Sequence, residues 1–347
     1  MLFGRASRAT RQQRRRGWLT CRTPARRSTT KSHPLEGEES LARWRQDQPH
    51  GHLMRKGNAM ADRVARKLPL RHPAENPTFI VMVVLNFVIL AVLIDFLVSV
   101  TLIPPALRGT DWEATWRAVA GAIILVAPAI IIVRQVQRAS IRGTAVLLSR
   151  TQFSDLYASI DDFAGTLGVK PTPALYLANG NGTLNAFAAQ SGLTNNYVVL
   201  SNELFANLRN NNREGTRFIL GHEIGHIRLH HVALWYNLVL CYSQLIPVLG
   251  PTLSRLREYS CDRNGAALEP KGELGLVLLT AGRYAADNVH VSELVDQGRQ
   301  LGGFWVGISQ LPRSHPWTVR RIWRLHQLGL FGRANSVDEA PHPQNVA

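Results

Sequence analysis

The chain has only three cysteines in 347 residues, Cys21, Cys241 and Cys261, far apart and with no Cys-x-x-Cys spacing. That excludes a disulfide framework and a thiolate zinc knuckle, and fits a reducing compartment. No secretory signal peptide is visible. The amino terminus is basic, but the first apolar run starts near residue 79, is too long, and lacks a small-residue cleavage site. No self-similarity recurs every 20 to 50 residues, which excludes solenoid and propeller architectures. Acidic residues are scarce at the start. Residues 1–72 hold 18 Lys and Arg against 5 Asp and Glu, so +13 of the formal +16 sits there and the remainder is nearly balanced.

That stretch is rich in Arg, Ser, Thr, Gln, Gly and His and has no apolar periodicity, so a disordered basic tail is expected over 1–72. The tract from Arg11 to Arg16 is of the kind that is solvated, lies on anionic lipid or touches nucleic acid; the first two are adopted, and no nucleic-acid partner is expected. Met60 offers a second start, which would make residues 1–59 an extension absent from the natural product.

Residues 79–103 are nearly all apolar, long enough to cross a hydrocarbon core of roughly 30 Å. The single acid, Asp95, costs roughly 2.5 to 3.5 kcal/mol at the bilayer centre, which the surrounding aliphatic residues offset. A second apolar run, 118–133, is followed by Arg134, Arg138 and Arg142, which places both outer ends of the pair on the cytoplasmic side. The expected layout is therefore a tail (1–72), two transmembrane helices with a short external loop (73–143), a folded domain (144–330) and a disordered carboxyl tail (331–347). The expected location is the inner cell membrane, multi-pass, with the domain at 144–330 facing the cytoplasm.

From residue 144 the pattern is α+β and mainly helical. Residues 153–167 read as an amphipathic helix ending at Gly168. Residues 173–177 and 197–200 read as strands around the Asn-Gly-Asn-Gly turn at 179–182, and 185–188 as a further short strand. Residues 217–231 read as a helix whose apolar surface is Phe218, Ile219, Leu220, Ile224, Ile227 and Leu229.

That helix carries His222-Glu223-Ile224-Gly225-His226. Imidazoles at i and i+4 project from one face and can share a metal ion, while the intervening Glu faces the same cleft and can reach a metal-bound water. A catalytic zinc needs a third protein ligand and an open fourth position. Glu258 supplies the ligand, on a segment, 254–262, that also reads as helical, so Asp262 at i+4 can accept a hydrogen bond from a ligand histidine, His222 being the best placed. The bland alternative is a solvated face pairing Glu258 and Asp262 with Arg255 and Arg257. His230 and His231 read as exposed, because a fourth protein ligand would close the position that water needs.

Two apolar spans, His-Glu-Ile-Gly-His and Arg257-Glu258-Tyr259-x-x-Asp262 together resemble the HtpX-like membrane zinc metallopeptidases, relatives of the CAAX prenyl protease, over roughly residues 75–330. The resemblance implies a zincin-like (gluzincin) domain with one zinc per chain held by His222, His226 and Glu258, and Glu223 as general base. Asn185-Ala186-Phe187-Ala188 is similar to the segment before the family's cleft-edge strand, which implies substrate binding there. His315-Pro316 with Arg321-Ile322 resembles the family's closing motif, making His315 and Arg321 catalytic candidates beside the cleft. Cys261 stands where the family usually has Ala, and a thiol so close to a metal suggests oxidation sensitivity.

The family's bacterial prototype has further spans after its metal helix, whereas here only residues 231–252 are available. One crossing would put Glu258 on the opposite side of the bilayer from His222, and two would need about 40 residues. Residues 232–250 are therefore expected not to span, but to pack as a core or interfacial segment over the cleft. The expected activity is zinc-dependent endoproteolysis in membrane-protein quality control, with misfolded or membrane proteins as substrates and the lipid bilayer as partner. The alternatives are a zinc-binding scaffold that no longer cleaves and a membrane protein that binds nucleic acid through its tail.

Overall fold

The structure, a computed structural model, describes residues 70–204 and 213–331. The expected tails, the Arg11 to Arg16 tract and the second start at Met60 lie outside the described residues.

The chain is mostly helical with one small sheet. It begins with helix α1 (Glu75–Leu97), followed by α2 (Asp111–Ile124) and α3 (Val126–Thr144). Only Leu125, itself in helical conformation, separates the last two, so together they make a rod of 34 residues. Pro128 explains the joint: it has no N–H to give the carbonyl of Ile124. Among the described residues, α1 and this rod are the two helices long and apolar enough to cross a membrane. Much of their apolar surface has no protein cover, Ile80 being 61% exposed and Ile132 62%.

The sheet consists of β1 (Val146–Leu147), β2 (Ala174–Ala178), β3 (Ala186–Ser191) and β4 (Asn195–Ser201) in the order β1-β2-β4-β3. β2 and β4 run parallel with Ala174 opposite Tyr197, and β3 runs antiparallel to β4 with Ala186 opposite Leu200. β4 is thus interior and β3 is an edge, with Asn185 immediately before it. Helix α4 (Ser154–Leu167) presents Leu156, Ile160, Phe163 and Ala164 to the core and stops at Gly168, whose φ of 70° only glycine adopts freely. Its apolar stripe packs with Val198 and Leu200 of β4 and with Phe218, Ile219 and Leu220 of helix α5 (Arg213–Arg228).

After α5 come a short helix, α6 (Leu234–Leu238), and the long α7 (Leu249–Leu268). Between them the chain is broken into turns, so residues 232–250 contain no helix of the roughly 20 residues a crossing requires. Their packing differs from the expected place over the cleft. Tyr236 and Leu240 pack with Met82, and Cys241 and Tyr242 with Leu93 and Ala120, so the segment runs beside α1 and reaches α2. The physical reason is its own apolar surface, which finds the apolar rods. Its exposed backbone is satisfied there. Asn86 Oδ1 accepts from the amides of Tyr242 (2.9 Å) and Ser243 (3.3 Å), and the Tyr242 hydroxyl donates at 3.3 Å to the Ile124 carbonyl that Pro128 leaves free.

Helices α8 (Glu273–Ala281), α9 (Val291–Gln300), α10 (Phe304–Gln310) and α11 (Thr318–Gln327) close the domain. The contact that positions the site is α5 against α7. A Cβ added to Gly225 would lie 3.1 Å from Asn264 Cβ and 3.3 Å from Cys261 Cα, and one added to Gly265 only 2.9 Å from the Phe218 carbonyl oxygen. The helices approach this closely only because those side chains are absent. Gly265→Ala is therefore expected to destabilise the protein by about 1 to 3 kcal/mol of strain, against about 1 kcal/mol of gained helix propensity. A denaturant titration reads the net; a midpoint above the parent's would mean the contact has slack.

Candidate metal centre

Helix α5 places His222 and His226 one turn apart with their Nε2 atoms 3.2 Å from each other. Helix α7 brings Glu258 to both: Oε2 is 3.5 Å from His222 Nε2 and Oε1 is 3.4 Å from His226 Nε2. Tetrahedral bonds of 2.0–2.1 Å to a zinc ion hold neighbouring donor atoms ~3.3 Å apart, close to the separation of the two nitrogens and to that of each nitrogen from its nearer Glu258 oxygen. Nitrogen, nitrogen and carboxylate oxygen also suit zinc chemically. Cys261 is a competing neighbour, since its sulfur lies within 4.8 Å of ligand atoms of both histidines. However, burial, together with the charges of Glu258, Glu223, Glu75 and Asp262, pushes its thiol well above the usual range, and the protonated form is a poor ligand. Cys261 is also fully buried, so the expected oxidation sensitivity is not what this geometry favours: a protected thiol is inert.

The spacing argument for Asp262 matches its position. Its Oδ1 lies 2.9 Å from His222 Nδ1, and it also receives Arg321 in a two-point clamp, Nη2 to Oδ1 at 2.6 Å and Nε to Oδ2 at 2.9 Å. Burial alone would raise the Asp262 carboxyl, but Arg321 and His222 outweigh it and hold it below the ordinary value. An ionised Asp262 keeps a proton on His222 Nδ1 and turns Nε2 toward Glu258. Burial would lower His222, yet its hydrogen bonds to Asp262 and Glu258 push it up to about 10. Burial likewise disfavours the Glu258 carboxylate, and the imidazoles of His222, His226 and His315 hold it well below its usual value. Without metal, an imidazolium at His222 fills the gap between two carboxylates.

His231 corrects the sequence reading. It is 4% exposed, not solvated, and its Nδ1 is 3.2 Å from His226 Nδ1 while its Nε2 is 2.9 Å from Glu75 Oε1 at the head of α1. The helix does not continue to residue 231. It ends at Arg228 in a Schellman turn: the His230 amide donates to Ile227 O (3.1 Å), the His231 amide to His226 O (2.9 Å), and His230 sits at φ 64°. That position is usually glycine, so the helix end was invisible in sequence. The reversal swings His231 inward and leaves His230 outside, as expected. Burial holds His231 neutral, lowering it to about 3 against the pull of Glu75.

His315 and Arg321 both reach the site, in different ways. His315 Nδ1 stands 3.3 Å from Glu258 Oε2 with a side chain that is 69% exposed, and its bond to Glu258 raises its pKa. Arg321 is 7% exposed, with two guanidinium nitrogens on Asp262 and the third, Nη1, 3.7 Å from Glu258 Oε2. Glu223 is 7% exposed, next to His222 on α5. Three residues were missed from sequence: Glu75, His231 and Arg255. Arg255 does not pair with Glu258 or Asp262, as the bland reading supposed. Its Nη1 collects the carbonyls of Gln310 (2.7 Å), Leu311 (3.2 Å) and Arg313 (2.8 Å), tying the loop before His315 to α7. No linear motif announces a contact across 55 residues or more.

A helix bearing His-Glu-x-x-His, a glutamate from a second helix and a supporting carboxylate together define a metallopeptidase-type centre. Residues 150–328 match the model of peptidase family M48, and the chain belongs to that family. It is similar to the plastoglobule-localized metallopeptidase 48 of Arabidopsis thaliana, at 26% identity over 205 residues. That match covers 52% of this chain and 58% of the plant protein. It is also similar to a protease HtpX homolog of Thermoplasma volcanium, at 24% identity over 229 residues, 51% of this chain and 72% of that protein. The resemblance to HtpX-like metallopeptidases read from the motifs is borne out.

Because His222 is raised, metal must displace its proton. Zinc added to the stripped protein in weak buffer at pH 7.5 is expected to release about one proton per ion from this group, and affinity to climb as pH approaches about 10. In the stripped protein the same raised pKa stabilises the fold fully below pH 6.5 and is lost as pH rises to about 10. Metal uptake without proton release would show that His222 is neutral beforehand.

Proposed function

We propose that the chain is a membrane-anchored, zinc-dependent endopeptidase with a zincin-like (gluzincin) catalytic domain. His222, His226 and Glu258 hold the metal and Glu223 is the general base. The observation that carries this reading is the convergence of His222 Nε2 and His226 Nε2, 3.2 Å apart, on the Glu258 carboxylate, whose two oxygens lie 3.5 and 3.4 Å from them. Zinc bound there would lower the pKa of a coordinated water to about 7 and polarise the scissile carbonyl. Glu223, buried beside the ligands, takes the water's proton and delivers it to the leaving amine. His315, raised by Glu258 and largely exposed, is the donor for the oxyanion that forms on the substrate. Arg321 has two of its nitrogens spent on Asp262, so it acts by holding that carboxylate against His222 rather than by touching substrate.

Edge strand β3 supports an extended substrate. Among the described residues it pairs on one side only, with β4, and it lies against α5. A peptide adding to Asn185, Ala186 and Phe187 through backbone bonds would be held with little sequence preference, which suits unfolded or damaged membrane proteins. In this reading α1 and the α2–α3 rod cross the bilayer, and Arg134, Arg138 and Arg142 keep the catalytic domain cytoplasmic. Residues 234–248 enter beside α1 and return without crossing, their turn held by Asn86.

Detergent-solubilised parent and Glu223→Gln protein are expected to carry about one zinc per chain each. Casein cleavage should fall roughly 100-fold or more in the variant and stop with chelator. No stoichiometric metal in either would refute the reading. Reporters fused at residues 212 and 252 should report the same side of the membrane; opposite sides would overturn the re-entrant path.

A further inference from the structure

Metal-site histidines need their second nitrogen fixed, because the tautomer decides which nitrogen has a lone pair for the ion. For His222, Asp262 does this directly. No carboxylate bonds the Nδ1 of His226 among the described residues; its partner is His231 Nδ1, at 3.2 Å. Two imidazole nitrogens facing each other form a hydrogen bond only if one carries the proton and the other does not. Glu75 decides which. Its Oε1, 2.9 Å from His231 Nε2, is an acceptor, so Nε2 carries a proton, and an Nδ1–Nδ1 hydrogen bond compatible with an ion on His226 Nε2 leaves His231 Nδ1 as the lone pair. Two donors reach that lone pair, the Cys261 thiol at 3.5 Å and the His226 ring at 3.2 Å; the ring N–H is the stronger donor, and its donation from Nδ1 leaves His226 Nε2 free and facing Glu258 and His222 Nε2.

We infer that Glu75, the first residue of α1, is a positioning residue for the metal centre, setting the tautomer and basicity of ligand His226 through His231. The anchor helix and the catalytic domain then share one metal site: residues 144–330 alone lack the carboxylate that orients one of the ligands. Glu75 is fully buried, receives the Ser260 hydroxyl and pairs with Arg71 Nη1 at 3.2 Å, which holds it in place 156 residues from its histidine. The alternative role, a tie that fastens α1 to α7, runs through Ser260 and not through His231. The inference rests on the metal-site reading above.

The test is cobalt binding to the full-length, metal-stripped protein, followed by competition with a chelator and by the visible absorption of the bound ion. Glu75→Gln keeps the side-chain volume and removes the charge; His231→Phe removes the acceptor for His226; Ser260→Ala breaks only the tie. Both relay variants are expected to lose 10- to 100-fold in affinity and to shift the cobalt spectrum, with Ser260→Ala near the parent on both measures. Should His231→Phe fail to fold, Glu75→Gln carries the test. Parent-like affinity and spectrum in Glu75→Gln would overturn the inference, as would an equal loss in Ser260→Ala. A parent protein that binds no cobalt would overturn the metal-site reading itself, an outcome visible before any variant is made.

Discussion

The site depends on how closely two helices can approach. Glu258 meets His222 and His226 because α5 and α7 pack with Gly225 and Gly265 at their contact, where even a methyl group would fall 2.9 to 3.3 Å from the facing helix. Interiors are packed nearly as densely as crystals, so a wider separation could not be absorbed by adjusting side chains. The donor atoms would part and the spacing suited to an ion would be lost. Small residues between the ligand-bearing turns thus set the geometry of the charged ones.

Burying that many charges is tolerable only because each meets an opposite. Glu258, Asp262 and Arg321 are each under 10% exposed, as is His222, and every one of them faces a partner of complementary charge or proton state. Removing one member leaves another uncompensated in a dry interior, which is more damaging than the pair's net contribution to stability. Arg321 illustrates the consequence. A group that would be a surface cation by sequence is raised by Asp262 and locked against it, with Nη2 3.4 Å from His222 Nδ1.

The segment after the metal helix solves a different problem. It is apolar enough to leave water but too short to cross a bilayer twice, and its broken backbone exposes amides and carbonyls. Asn86 accepts two of those amides, and Tyr242 donates to the carbonyl that Pro128 frees at Ile124. These two polar side chains therefore answer specific backbone needs, as unsatisfied groups in an apolar medium cost several kcal/mol. The same helix that carries Asn86 begins with Glu75 against His231, so one element contacts both the segment after α5 and the histidine cluster.

Much of this was legible in the chain. The two apolar rods, the amphipathic α4 ending at Gly168, the strands around the Asn-Gly turn and the helical placement of Glu258 and Asp262 all follow from periodicity and spacing, because those patterns are local. His231 was misread because the turn that swings it inward has His230 where a glycine would have marked it. Arg255, Glu75 and the course of residues 232–250 were not legible at all, since each depends on a partner 55 to 156 residues away. By itself the sequence determined which residue types are present for metal chemistry and which helix faces carry them. Only the tertiary structure decided which nitrogen of His222 and His226 faces Glu258, because a tautomer is set by the hydrogen-bond partner that folding supplies and not by the residue that holds it.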